Sequence, residues 1–393
     1  MKYCYFLCAL FIFITCSSDK NSDQAQYSLS VVPEDDTLKF SDLYDEYKLI
    51  HLKGAIVANV TDIVQIGDKY VIKCKSYESY EKRNNAAVVN LFSINGDFIK
   101  PIVSVGRASN EVLNVQVIRH NEYTNTLDVL CNYGQSIYQY STENYELIGK
   151  IDLDKEEIIS AESFLPIDKE RYIVYKQFPY TNGQDYKLYV YNSKLNCVEN
   201  KLLLMDEELA EKLSFTQNNN LFGHNGKILF YESFLQKVYQ YSEGLIIPYI
   251  DFKENRFSVS DGFLDKASTD LVRLVSSLKE SSYIWNHTNL FAFKDKIISF
   301  YTFNNQLYHC VMNLATQECK SYKYLSDDMI FNITVDNNVS DYDLIKTIND
   351  RAIYVIEPSV MKERLDGSIK INNNCKYILD LPDDSNPLLL IVK

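Results

Sequence analysis

Glycine, proline, tryptophan and positive charge are all scarce in this chain of 393 residues. It has 12 glycines, 8 prolines and 1 tryptophan, which excludes collagen-like and linker-rich sequences. Its 40 lysines and arginines are outnumbered by 53 aspartates and glutamates, which gives a net charge of −13. Because nucleic-acid binding needs clustered lysine and arginine, the charge balance argues against a nucleic-acid partner.

Motifs for metals, cofactors and common catalytic sites are also lacking. The nine cysteines form no CxxC or Cys/His cluster, so zinc and thiol-redox sites are not predicted. No HExxH, GxSxG or Walker sequence is present. The sequence therefore predicts no cofactor and no metal, and it singles out no catalytic residue.

Long hydrophobic runs are missing as well, and the one short run lies at the start of the chain. Residues 3–15 follow Lys2 and are apolar, but about 20 residues are needed to span a bilayer as a helix. This pattern predicts a signal peptide over residues 1–15. The following Cys16 resembles the lipidated cysteine of bacterial lipoproteins, although an ordinary signal peptide with an incidental cysteine is the alternative. Residues 16–35 are polar and are predicted to form a flexible tether.

A repeat of about 50 residues organises the rest of the chain. The repeat is marked by a four-residue pattern: an apolar residue, tyrosine, any residue and a tyrosine-like residue. The pattern occurs in Ile137–Tyr140, Leu188–Tyr191 and Val238–Tyr241, and more weakly in Leu307–Cys310 and Val89–Phe92. Propeller blades repeat every 40–50 residues or so. The longer last interval is explained by an insertion near 260–282, where apolar residues fall at helical spacing.

Each repeat contains four strand candidates joined by hairpin turns such as Asn95-Gly96 and Asn225-Gly226. We therefore predict an all-β fold, a six-bladed β-propeller of four-stranded antiparallel blades over residues 36–393, with a short helical insertion. The run Leu388–Val392 is predicted as the third strand of the last blade. Tyr44–Leu52 would supply the fourth strand, so that the two chain ends close the ring.

The chain resembles the six-bladed β-propeller lipoproteins of Gram-negative gut anaerobes. The resemblance rests on the lipoprotein-like start, Phe40–Leu52, Leu91–Ile99, the loop Val105–Leu113 and the end Asn386–Ile391. That family usually reads Gly-Arg-Gly-Pro-Asn-Glu in the loop; Gly106, Arg107 and Glu111 match, as does Asn110, whereas Ala108 and Ser109 differ. The resemblance implies lipid anchoring at the outer membrane, facing the periplasm or the surface, and it implies no particular activity.

The same loop provides the one candidate for ligand contact. Arg107 could offer its planar guanidinium to a carboxylate or a sugar hydroxyl. Alternatively, Gly106, Arg107 and Glu111 form a structural loop in which the arginine pairs with the glutamate. We expect a ligand at one mouth of the central channel, and the acidic net charge favours a neutral or cationic glycan or peptide.

Cys310 and Cys319 are predicted to face each other across a hairpin. A four-residue loop over Asn313–Thr316 would place them opposite one another, with Cβ atoms about 4.5–5.5 Å apart. This separation is close to the geometry of a disulfide, and an envelope location permits oxidation. The sequence leaves open whether the bond forms.

Two classes of function remain open. The first is a non-enzymatic binding or scaffolding module of the cell envelope, accessory to nutrient or glycan uptake, with a glycan, a peptide or another envelope protein as its partner. The alternative is a carbohydrate-active lyase or hydrolase whose site lies in the central channel.

Overall fold

Short strands dominate the structure, which is a computed structural model. It describes residues 24–393 apart from 58, 75–85, 109–110, 154–157, 159, 178–184, 206–219, 233–236, 261, 264–270, 337–342, 349 and 366–372. Within the described residues the strands form seven sheets, which we number in chain order.

The first three strands of the chain each join a sheet that is built mainly from later residues. They are β1 (Tyr27–Leu29), β2 (Thr37–Lys39) and β3 (Tyr47–His51). Sheet 1 contains β4 (Val60–Ile66), β5 (Lys69–Cys74), β6 (Ala86–Ser93) and β7 (Phe98–Val105). Sheet 2 contains β8 (Val115–Asn121), β9 (Thr126–Cys131), β10 (Ser136–Ser141) and β11 (Leu147–Asp152). Sheet 3 contains β12 (Ala161–Pro166), β13 (Arg171–Lys176), β14 (Tyr186–Asn192) and β15 (Cys197–Leu204).

The remaining sheets include the three N-terminal strands. Sheet 4 contains β16 (Leu221–His224), β17 (Lys227–Phe230), β18 (Lys237–Ser242) and β19 (Leu245–Phe252), with β1 parallel to β19. Sheet 5 contains β20 (Trp285–Phe293), β21 (Lys296–Phe303), β22 (Gln306–Asn313) and β23 (Glu318–Tyr322). Sheet 6 contains β24 (Tyr324–Asp327) and β25 (Ile333–Asp336), with β2 parallel to β24. Sheet 7 contains β26 (Asp343–Ile348), β27 (Arg351–Ile356), β28 (Leu388–Val392) and β3.

Among the described residues, two α-helices and two 3-10 helices can be given bounds, and they lie between these strands. Helix α1 (Leu271–Glu280) precedes sheet 5 and confirms a helix in the predicted insertion. Its buried Leu274 and Leu278 pack in a small cluster with Trp285. Helix α2 (Pro358–Leu365) and the 3-10 helix Asn373–Asp380 lie between β27 and β28, and the 3-10 helix Phe40–Asp42 follows β2.

The prediction of six blades is wrong. The described chain has seven sheets, which makes the propeller seven-bladed when each sheet is counted as a blade. The additional sheet is sheet 6, which has three strands and includes a parallel pair. Its strands are three or four residues long and lack the tyrosine motif, and one of them comes from far upstream in the chain. The repeat search therefore had no signal for it.

The first strands of the six other sheets surround the axis. Contacts join neighbouring first strands in the order β4, β8, β12, β16, β20 and β26, and β26 returns to β4. Sheet 6 instead contacts β22 of sheet 5 and the 3-10 helix Phe40–Asp42. The apolar core consists of clusters between adjacent sheets, as expected when blades pack face to face.

The repeated tyrosine motif marks the third strand of its sheet in every case. The five segments found in the sequence lie in β6, β10, β14, β18 and β22. Tyr189 and Tyr191 are fully buried between sheets 2 and 3. The repeat in β14 therefore reflects packing between blades.

Ring closure by the two chain ends is confirmed. Strand β28 pairs antiparallel with β27 on one side and with β3 on the other, with Leu388 opposite His51 and Val392 opposite Tyr47. Sheet 1 packs closely against sheet 7 at Gly96, whose φ is +88°. A Cβ atom added to this residue would lie 2.3 Å from the carbonyl oxygen of His51. Only glycine permits this approach.

Residues 24–35 belong to the folded domain, although they were assigned to the tether. β1 pairs with β19, and Leu29 and Val31 are buried. From β1 to β3, the segment 27–51 crosses sheets 4, 5, 6 and 7, contacting sheet 5 through a hydrogen bond from the Tyr308 hydroxyl to Asp35. We call this segment the N-terminal strap.

Replacement of Leu390 by alanine tests ring closure. Leu390 is fully buried and lies opposite Leu49 and Tyr354, so its truncation should lower the free energy of unfolding by about 2–5 kcal/mol. The control is Leu195→Ala, at a residue whose side chain is 66% exposed in a turn, with an expected change within about 0.5 kcal/mol. Denaturant melting measures both variants. Equal effects would contradict the structural role of this strand.

Candidate functional site

The two ends of the propeller axis differ in the lengths of their connections. One end, which we call the turn face, carries the connections between first and second strands and between third and fourth strands. In sheets 1–5 and 7 these connections are two to five residues long. The opposite end, the loop face, carries the connections from one sheet to the next and those between second and third strands. Among them are residues 205–220, 253–284 and 357–387. Binding residues are expected on such loops, because the strands hold their ends in place.

Three charged side chains meet on the first strands of three successive sheets. Asp62 on β4 accepts a hydrogen bond from Arg119 Nη1 on β8 at 3.0 Å and one from Lys346 Nζ on β26 at 2.7 Å. The backbone N–H groups of Ile63 and Ile118 also donate to its two oxygens. We call Asp62, Arg119 and Lys346 the first-strand cluster, which links sheets 7, 1 and 2 at the axis.

Burial makes the electrostatics of this cluster strong. It opposes ionisation of Asp62, but Lys346 and Arg119 together hold the pKa of the carboxyl group below its usual value. Asp62 is therefore ionised at neutral pH and serves as a counter-ion. Burial and the charge of Arg119 lower the pKa of Lys346 to about 8, although Asp62 acts in the opposite direction. Lys346 is thus a cation whose charge can be lost at mildly alkaline pH.

A second charged group lies between sheets 3 and 4, towards the loop face. Lys187 on β14 binds Glu232, which follows β17, at 2.8 Å, and the Tyr175 hydroxyl donates to the same carboxylate at 2.7 Å. Burial and Glu232 raise the pKa of Tyr175, so this phenol stays protonated. Beside them, Lys176 and Asp185 form an almost fully buried pair. These groups tie adjacent sheets together where the loops begin.

Two half-buried carboxyl groups on the loop-face side have raised pKa values. Glu162 is the second residue of β12, and burial raises its pKa. Glu357 follows β27 immediately, and burial and the charge of Asp343 raise its pKa. A carboxyl group with a raised pKa can act as a proton donor nearer neutral pH than an ordinary one.

The loop singled out by the sequence also lies on the loop face, between β7 and β8. Arg107 is exposed, and no ion pair joins it to Glu111, although the structure describes both residues. Glu111 instead accepts a hydrogen bond from the backbone N–H of Ala108 at 2.8 Å. The Glu111 carboxylate lies against Gly106, where an added Cβ would lie 1.9 Å from its Oε2, so a side chain at position 106 would displace it. The Arg107 side chain is exposed beside them.

The predicted opposition of Cys310 and Cys319 is wrong in register. Asn313 pairs with Glu318, so that Met312 faces Cys319 and Cys310 faces Ser321. The turn lies one residue later than predicted because Gln317, with a φ of +56°, adopts the left-handed conformation. Cys310 and Cys319 are nevertheless diagonal neighbours on one face of the sheet. Both are free thiols, with their sulfur atoms 3.2 Å apart.

Sequence reasoning missed the first-strand cluster altogether. Asp62, Arg119 and Lys346 are separated by 57 and more residues, and none lies in a motif. Their positions on first strands could have been inferred from the repeat, but the pairing of these particular side chains could not. Cys16 lies outside the described residues, so lipidation stays a prediction. Among the described residues, no group of three or more potential ligands is arranged to hold a metal ion.

Fold and site together define a β-propeller with one loop-rich face and a charged centre. The chain belongs to the family described as domain of unknown function DUF4934, which matches residues 27–393. No curated protein matches it. In the part of the chain that the structure describes, no helix has the length and apolar character to cross a membrane.

A solved structure from Bacteroides fragilis shares this fold, and two from Bacteroides thetaiotaomicron match it with lower scores. A Bacteroides fragilis protein, whose name assigns it to the exported proteins, is 15% identical to this chain. The two structures align with a TM-score of 0.70, and the alignment covers 93% of this chain and 98% of the Bacteroides fragilis chain. A Bacteroides thetaiotaomicron protein of unknown function is 11% identical, with a TM-score of 0.42 and coverage of 89% and 73%. The extracellular domain of a one-component system from the same species is 8% identical, with a TM-score of 0.39 and coverage of 77% and 34%. The first of these similarities supports the fold and no activity.

Oxidation tests the proximity of the two cysteine sulfurs. Diamide should accept two electrons and the two thiol protons from Cys310 and Cys319, which leaves a disulfide and lowers the count of free thiols by one pair. The hydrogen bond with Cys310 and burial raise the pKa of the Cys319 thiol, so we expect the reaction to be slow at neutral pH. Thiol titration after denaturation measures it. An unchanged count, or the same loss in Cys319→Ser, would show that these two residues do not react together.

Proposed function

We propose that the chain is a cell-envelope binding or scaffolding module that uses its loop face, accessory to the uptake of nutrients or glycans. The observation that carries this proposal is the state of the central carboxylate. Asp62 is ionised and accepts hydrogen bonds from Arg119 and Lys346. A carboxylate neutralised in this way holds sheets together and is poorly suited to donate a proton or to attack a substrate.

The location follows from the start of the sequence. The apolar run ending at Cys16 supports lipid attachment to the outer membrane, and the name of the similar Bacteroides fragilis protein, which assigns it to the exported proteins, agrees with export. The residues before the strap would then connect the lipid to sheet 4, where β1 begins the described fold.

Cys16→Ser tests the anchor. The serine variant cannot accept a thioether-linked lipid and should move from the membrane fraction to the soluble fraction. Cys375→Ser, a buried cysteine in the domain, is the control and should stay with the membrane. Fractionation with intact-mass measurement decides the outcome. A Cys16→Ser variant that remains membrane-bound would contradict lipid anchoring.

The proposed ligand is a glycan or a peptide that reaches the channel from the loop face. Arg107 is exposed in a loop held by Gly106 and Glu111, so its guanidinium can contact a ligand without first breaking an ion pair with Glu111. The net charge of −13 disfavours polyanions such as nucleic acids or heavily sulfated glycans.

A glycan and peptide binding screen on the full chain tests this assignment. Arg107→Ala should weaken binding of any hit by about tenfold, which corresponds to the loss of one charged hydrogen bond. Arg171→Ala, on the turn face, is the matched control because Arg171 is a partly exposed arginine paired with Asp168. Equal losses in the two variants, or tight binding of a polyanion, would count against the loop-face site.

A carbohydrate-active enzyme is the second candidate, and Glu357 is the observation that favours it. Its raised pKa and the nearby charge of Asp343 resemble the paired carboxyl groups of glycosidases and related enzymes. Glu357→Gln separates the two functions. Loss of glycan cleavage with retained binding would establish catalysis, whereas binding without any turnover in the unmodified protein supports the binding module.

A further inference from the structure

Positive charge exceeds negative charge within the first-strand cluster of this acidic protein. In the first-strand cluster, Arg119 and Lys346 face the single carboxylate of Asp62. Lys73 on β5 adds a further positive charge nearby, which acts on both Asp62 and Lys346, and its Nζ donates to the carbonyl oxygen of Gln116 at 2.6 Å. The local balance is therefore opposite in sign to the balance of the whole chain.

Asp62 has no capacity left for further strong donors. One of its oxygens accepts from Lys346 and the N–H of Ile63, and the other accepts from Arg119 and the N–H of Ile118. Each oxygen has two lone-pair sites, so the four bonds occupy them all. Any donor of the cluster that is still open therefore needs another acceptor.

Arg119 has such donors. Its side chain is only 8% exposed, yet only Nη1 is engaged, with Asp62 at 3.0 Å and with the carbonyl of Ile118 at 2.9 Å. In the described part of the chain, Nε and Nη2 make no hydrogen bond, and they are not among the buried polar atoms left without a partner. The slight exposure of the Arg119 side chain leaves these two donors able to meet a further acceptor. Two guanidinium donors in one plane match the two oxygens of a carboxylate.

We propose that the first-strand cluster binds a carboxylate group of a small ligand that enters the channel, with Arg119 as the planar donor and Lys346 as a second cation. The inference rests on the proposed binding function and names the chemistry of its ligand. The overall charge favours a neutral or cationic ligand, but a buried cluster acts over a short range in a low dielectric. The choice of a carboxylate rests on the planar donor pair of Arg119, which two coplanar carboxylate oxygens match.

The affinity should depend on pH through Lys346. Below its pKa of about 8 the ammonium group is charged and attracts the anion. Above that value the charge is lost and binding should weaken. The charged groups that face Lys346 are Asp62, Arg119 and Lys73.

Titration of the full chain with glucuronate, and with glucose as its neutral match, tests the proposal. Glucuronate should bind saturably at pH 7 and at least about tenfold more weakly at pH 10, whereas glucose should not bind at the same concentrations. Arg119→Lys keeps the charge but loses the planar donor pair, so we expect about a tenfold loss. Arg171→Lys on the turn face is the control and should bind as the unmodified protein does.

Further measurements keep the test decisive if Arg119→Lys folds poorly. Lys346→Met removes the titrating group, so its weaker binding should be independent of pH between 7 and 10. Equal binding of glucose and glucuronate, tighter binding of sulfate, or an unchanged pH profile in Lys346→Met would each overturn the carboxylate site. The proposed function would survive that result if the glycan and peptide screen still gave a ligand sensitive to Arg107→Ala.

Discussion

The structure depends on the pairing of the last strand with the third. A propeller is stable only when its ring has no open edge, because an incomplete sheet exposes backbone donors and acceptors and the apolar faces of its neighbours. Here β28 supplies the third strand of sheet 7 and β3 the fourth. All five residues of β28 are buried. The contacts of the first strands around the axis rely on this closure, because sheet 7 is the one that joins sheet 5 to sheet 1.

Closure also explains why charged residues lie at the centre. Asp62 on sheet 1 is held by Arg119 from sheet 2 and Lys346 from sheet 7, so the same ion pairs span the junction where the ring meets. A buried carboxylate without these partners would be strongly destabilising. The first-strand cluster therefore holds three sheets together, and the proposed carboxylate site would use the donors of Arg119 that these contacts leave open.

Much of the fold could be predicted because packing repeats in the sequence. The tyrosines of β10, β14, β18 and β22 recur at the blade period, and Asn225-Gly226 adopts the two positive φ values that its hairpin turn needs. Sheet 6 was missed because its strands are too short to carry a period and β2 pairs with a segment nearly 290 residues away. The cysteine register failed by a single residue at Gln317, where a local conformation decided the turn. The contacts of Asp62 could not be predicted at all, since they join three separate repeats.

The N-terminal strap has a consequence for the order in which the molecule can assemble. Its buried residues Leu29, Leu38 and Phe40 are synthesised early, whereas β19, β24 and β28, with which the strap pairs, are made more than 200 residues later. Contacts so distant in sequence form slowly, because a long loop must close before any of them is gained. Until the partner strand of each has been made, these apolar residues have no native partner. The strap can therefore dock completely only after β28 has been synthesised.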